Sequence, residues 1–169
     1  MSTPPRWDLT NVYPSLDSRQ YKAAFRNYRT LLDEFETFLA KKVGKVNAKT
    51  DPKKLGKLLG ESVDRFNEIL VLWGTLTAYL NSFVTTNSRD QAAMRALSEF
   101  EQVQVRQNVL NTQLQAWVGR LGKSALTKAV KFSPSAKSHA FTLNEAAEQA
   151  KYLMSEAEEG LAAELTLSG

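Results

Sequence analysis

Apolar residues between Leu55 and Val84 fall in rows seven positions apart. Leu59, Phe66, Trp73 and Leu80 form one row; Ser62, Ile69, Leu76 and Phe83 a second; Val63, Leu70, Thr77 and Val84 a third. Seven residues are about two turns of helix, so each row follows one line along the axis. Three adjacent rows make a stripe too wide for a single neighbour. The pattern predicts a helix of roughly 30 residues, about 45 Å long at about 1.5 Å per residue.

Two further seams flank it. Tyr21, Phe25, Tyr28, Leu32, Phe35 and Leu39 step by four and three, predicting a helix that opens at Asp17 or Ser18 and frays in the polar run from Lys41 to Asp51. Pro52 suits a first helical turn. Ala93, Ala96, Phe100, Val103, Gln107, Leu110, Leu114, Trp117 and Leu121 predict a third long helix, with Ser88 as its cap and Gly119 and Gly122 at its end. Its polar member, Gln107, either sets register or sits at a water-lined edge. Thr85 to Arg89 is short, so this helix is expected to run antiparallel to the one before it.

Shorter helices are predicted over Ser124–Phe132, stopped by Ser133-Pro134, and over Ser135–Met154. Ser155 to Glu158 has capping-box spacing ahead of a last helix carrying Leu161 and Leu165. Before residue 17, Pro4, Pro5 and Pro14 exclude helix, and Trp7, Leu9, Val12 and Tyr13 favour an arm lying on the helices. The expected fold is all-α: an antiparallel bundle of long helices followed by shorter C-terminal helices, with residues 1–16 as a prolyl arm and 17–169 as one helical domain. Mid-helix Gly74 is expected to admit the close approach of a neighbouring helix.

Composition changes this picture little. The chain has 169 residues, 43% hydrophobic and 24% charged, a globular balance. It has no cysteine and no Asn-x-Ser/Thr acceptor, its start lacks the features of a signal peptide, and the longest apolar run, Ile69 to Trp73, is far too short to cross a bilayer. A cytoplasmic protein without membrane contact is expected. The net charge of +4 draws attention to Lys41, Lys42, Lys45, Lys49, Lys53, Lys54 and Lys57. That segment holds neither an aromatic residue to stack on a base nor an arginine to read one, so a solvated loop is expected and no nucleic-acid partner.

Candidate chemistry is sparse. Zinc peptidase chemistry needs convergent ligands such as His-Glu-x-x-His, and the chain's one histidine, His139, lies among Ala136, Ala140 and Leu143, where a hydrogen-bonded structural role is expected. Glu145 with Glu148, and Asp33 with Glu36, are carboxylate pairs at helical spacing but sit among polar neighbours, as solvated faces do. No serine has an evident base, and there is neither a nucleophile elbow nor a P-loop. No catalytic, cofactor-binding or metal-binding residue is assigned in this chain.

Two stretches carry a resemblance. Pro5-Arg6-Trp7-Asp8-Leu9-Thr10-Asn11-Val12-Tyr13-Pro14-Ser15-Leu16-Asp17-Ser18 resembles the opening of oligoendopeptidase F and its relatives, where Trp-Asp-Leu-x-x-x-Tyr-Pro precedes a long helix. The stretch from Ser133 to Glu159, followed by Leu161 to Leu165, is similar to the region where the helical amino-terminal part of such proteins leads toward the catalytic part. The resemblance implies the N-terminal domain of a thimet-like zinc metallopeptidase that hydrolyses short peptides in a deep channel. Its zinc, histidines and general-base glutamate would lie in a later part of the polypeptide, so this chain would form channel wall and not be catalytic by itself. The catalytic domain of the same polypeptide is then the expected partner, with self-association through the surface that domain would cover. The alternative is a free-standing helical interaction module or coiled-coil oligomer, supported by the long seam from Ala93 to Leu121.

Overall fold

Ser18 opens the first helix: its backbone is extended and its Oγ accepts the amide of Tyr21 at 3.2 Å. Asp17, the other predicted cap, instead pairs with Lys22. In the computed structural model, which describes residues 8–150, all regular structure is helical. The elements are α1 (Arg19–Phe38) continued by a π-helical turn (Leu39–Val43), α2 (Pro52–Thr86), α3 (Gln91–Ala129) with a 3-10 turn (Val130–Phe132), α4 (Pro134–Ser138) and α5 (Ala140–Gln149). The fold is all-α, as the seams predict. Predictions on residues 1–7, with Pro4, Pro5 and Trp7, and on residues 151–169, with the end of the helix expected to reach Met154 and the stretch from Ser155 onward, lie outside the described residues. Two compact units divide the chain: Met1–Gly44 with Glu61–Asn111, and Lys45–Gly60 with Thr112–Gly169.

In the first unit the predicted seam of α1 is its core face: Tyr21, Tyr28, Leu32, Phe35 and Leu39 are buried and Phe25 is half-buried, while Phe38, outside the seam, is buried as well. Contacts fix the directions of its neighbours. Moving along α1, Tyr21 meets Tyr79, Phe35 meets Phe66 and Lys42 meets Glu61, so α2 runs antiparallel to α1. Phe25 meets Phe100, and Asp33 and Glu36 meet Arg106, so α3 runs parallel to α1 and, as the short connection predicts, antiparallel to α2. Gln107 is buried and accepts the Tyr28 hydroxyl at 2.7 Å, which makes it a register-setting residue rather than one at a wet edge.

The three rows of α2 are unequal. The second row is buried at Ser62, Ile69 and Leu76. The third reaches the surface at Leu70, 37% exposed, and its neighbour Val71 is 73% exposed. Gly74 has nothing within 4 Å of the position a side chain would take, so the expected close approach there is absent. The reason is placement: Gly74 lies on the same side of the helix as Leu70, away from the buried row. Ser88 is not the cap of α3. Asp90 is, its Oδ1 accepting the amides of Ala92 and Ala93 at 3.1 and 3.0 Å, because the turn at Asn87 takes up the residues before it.

In the second unit glycines do admit close approach. A side chain on Gly56 would strike the carbonyl oxygen of Ala129 and the Cβ of Phe132. One on Gly60 would strike Ser133, and one on Gly119 the Cβ of Ala150. Gly119 therefore packs inside α3 and does not end it. Gly122, with φ of 71°, breaks α3 as predicted and separates off the stretch that leads to Phe132. Ser133 then caps α4, its Oγ accepting the amide of Ala136, with Pro134 in the first turn. The helix expected from Ser135 onward is interrupted at His139 (φ −101°, ψ 16°), where α4 ends and α5 begins. Trp117 is buried and donates from Nε1 to the carbonyl of Val46 at 3.3 Å.

Candidate functional site

The described part of the N-terminal arm is held by a run of local hydrogen bonds. Asp8 Oδ1 accepts both the amide and the hydroxyl of Thr10, at 2.9 and 2.6 Å, and these bonds hold its carboxyl below the usual range. Leu9 then accepts the amides of Val12 and Tyr13, which turns the chain so that the Tyr13 ring stands edge-on to Tyr21 and Tyr79, 5.9 and 5.0 Å between centroids. The Tyr79 hydroxyl donates to the Tyr13 carbonyl at 3.1 Å. Ser15 accepts from the amide and hydroxyl of Ser18 before Ser18 caps α1. The described part of the arm thus lies on the helices as expected, anchored by tyrosine. Burial pushes the phenols of Tyr13, Tyr21 and Tyr79 up.

Between this arm and the end of α2 lies a cleft of about 670 Å³, lined by Asp8, Thr10, Tyr13 and Ser15 on one side and Ser82, Phe83, Thr85 and Thr86 on the other. The hydroxyls of Ser82, Thr85 and Thr86 donate to helix carbonyls four residues back, and Asp90, also on the cleft, is spent capping α3. The Thr10 hydroxyl is bonded to the Asp8 carboxylate, but that pair is exposed and closes the turn of the arm. A second groove of about 410 Å³ runs over Tyr13, Asn27, Leu31, Asn67, Val71 and Leu72, bringing exposed Val71 to an apolar depression.

The residues singled out in the sequence fall apart in space. His139 is structural, as expected: its Nδ1 is 2.9 Å from the Ser135 carbonyl and 3.2 Å from the Ser138 hydroxyl, where it closes α4. Asp33 and Glu36 are more than a solvated face. Both grip the Arg106 guanidinium across the helix pair, Glu36 and then Asp33 pushing that guanidinium up. The i, i+3 spacing could have pointed to a two-carboxylate fork, but its partner lies 70 residues away in sequence from Glu36. Lys42, from the lysine run, joins Arg65 on Glu61, and both cations also lie over the Phe38 ring. Burial raises the Glu61 carboxyl, and the bonds from Lys42 and Arg65 outweigh it and hold the group low. Glu145 is exposed on α5. Among the described residues no three His, Asp or Glu side chains converge, so these residues do not fit a zinc ion.

Among the described residues, three polar atoms are enclosed without a hydrogen-bond partner: Nε1 of Trp73, Oγ1 of Thr77 and Oδ1 of Asn144. Trp73 and Thr77 are one turn apart on α2, beside Leu70. α2 is also long and apolar enough to cross a membrane by length and composition, with 22% of its most apolar stretch buried; the row through Ile69 and Leu76 packs within the first unit. Compared with protein-family models, curated proteins and solved structures, the chain matches none.

Proposed function

We propose that this chain is the amino-terminal helical domain of an oligoendopeptidase F-type zinc metallopeptidase, forming part of a channel wall that admits short peptides. The observation that carries the reading is the Trp7 to Ser18 segment. Its resemblance is one of sequence, and its described residues have definite structural roles. Asp8 builds a turn, Tyr13 anchors to Tyr79, and Ser15 and Ser18 start α1. The unevenly covered face of α2, with Leu70 at the surface and Trp73 and Thr77 holding unpaired polar atoms, supports a further partner for that helix. On this reading the partner is the catalytic domain of the same polypeptide, the zinc is held by residues outside this chain, and the protein works in the cytoplasm.

The test is to read the gene past the codon for Gly169 and assay its full product. The expected result is continuation into a His-Glu-x-x-His helix and hydrolysis of a quenched fluorescent oligopeptide that stops on chelation, while the 169-residue chain binds no zinc and cleaves nothing. A stop codon directly after Gly169 would sink the reading. The free-standing interaction module would then take its place, with exposed Met94, Val105 and Val109 on α3 as its docking side chains.

A further inference from the structure

Charge is distributed unequally between the two units. The first unit carries eleven lysines and arginines and eleven carboxylates, and holds all five ion pairs found among the described residues. The described part of the second unit carries ten cations against three carboxylates, Asp51, Glu145 and Glu148, and all ten cations are exposed. None of the ten takes part in an ion pair among the described residues. The described part of the second unit therefore carries a formal charge of +7, ten cations less three carboxylates, while the first unit is balanced.

Two of these cations face a common depression. A cleft of about 310 Å³ opens between the start of α2 and the stretch after Gly122, with exposed Lys49 and Lys128 on it, the hydroxyl residues Thr50 and Ser124, and the buried side chains of Leu55 and Leu121 beneath. An electropositive rim over an apolar floor selects an anion that also carries apolar groups. A nucleic-acid strand fits poorly, since neither an aromatic ring nor an arginine lines the cleft. A bilayer fits poorly as well, because membrane-surface binding relies on apolar side chains that protrude, and here they are recessed. A peptide with glutamate or aspartate beside leucine fits all three parts: ammonium to carboxylate, hydroxyl to backbone carbonyl, apolar side chain to floor.

We propose that this cleft docks acidic oligopeptides through Lys49 and Lys128. The choice of peptides as occupant rests on the peptidase reading above; docking itself requires no catalysis by this chain. The test is fluorescence anisotropy of the 169-residue chain with a fluorescein-labelled, glutamate-rich hexapeptide containing one leucine, at low and high salt. The Lys49→Gln/Lys128→Gln double variant is expected to bind about tenfold more weakly, a loss that raised salt reproduces, while Lys22→Gln in the first unit binds as the native chain does. Both variants alter exposed side chains, and circular dichroism confirms that they fold. Unchanged affinity in the double variant would overturn the proposal. So would tighter capture of oligothymidylate or phosphatidylserine vesicles through the same two lysines. If the hexapeptide binds through these lysines but the full gene product cleaves no peptide, the peptidase reading falls and the docking site stands; the converse result reverses the two.

Discussion

Four glycines that look alike in the sequence have opposite roles. Gly56, Gly60 and Gly119 are contact points that a methyl group would obstruct, whereas Gly74 faces open space. Gly74→Ala should therefore stabilise the chain by about 0.5 to 1 kcal/mol, the ordinary helix-propensity gain. Gly56→Ala should destabilise it by about 1 to 3 kcal/mol, because the Ala129 carbonyl is backbone and cannot step aside. Urea midpoints of the two variants check the opposite signs, and a loss of stability in Gly74→Ala would contradict the geometry. Tyr28 is a second residue whose environment decides its chemistry. Fully buried and donating to Gln107, its phenol is pushed well above the usual tyrosine range by burial. The unfolded chain loses that proton near pH 10 while the folded chain keeps it, so stability falls as pH rises past about 10. Tyr28→Phe should flatten this alkaline loss in denaturation curves followed by tyrosinate absorbance, with the rest of the slope coming from Tyr13, Tyr21 and Tyr79.

At the level of elements, periodicity gave the helices and the faces that could be buried, since spacing decides which side chains share a face. The α1 seam and the Ile69–Leu76 row are buried, but Leu70, in an equally spaced row, is not, because coverage depends on where the neighbouring helices lie. Less of the capping was legible. Ser18 is a cap by its place before an apolar period, but choosing between Ser88 and Asp90 required knowing how the turn after Thr86 spends its residues. The break at His139 was not legible either, because Ala136, Leu143 and Ala147 keep helical period straight across it. The Tyr28–Gln107 bond belongs to this scale, since it locks α1 to α3. Gln107→Leu should cost about 1 to 3 kcal/mol by stranding a buried hydroxyl, and adding Tyr28→Phe should restore most of it. Additive losses in the double variant would mean that the two side chains do not act as a pair. The Arg106 fork, being largely exposed, should contribute less than about 1 kcal/mol for each carboxylate.

For the whole molecule, what was least legible is what requires distant segments to meet. The cleft in the first unit joins residues 8–15 to the end of α2, and the lysine cleft joins Lys49 to Lys128; neither pairing leaves a trace in local sequence. The arm was legible for the contrary reason, that its turn and cap are local, and the resemblance that motivates the peptidase reading rests on just such a segment. The division into units has a consequence for synthesis. Every part of the first unit has been made once residue 111 is translated, but the second joins residues 45–60 to chain from 112 onward. During translation Gly56 and Gly60 must wait for Ala129, Phe132 and Ser133, more than 70 residues later, while the neighbouring half of α2 can already pack on α1. A ribosome pausing once residue 111 has cleared its exit tunnel, before Ala129 and Phe132 emerge, would therefore hold a chain with one finished core and one bare glycine-bearing helix start, the stage at which a chaperone or a premature partner has most to grasp.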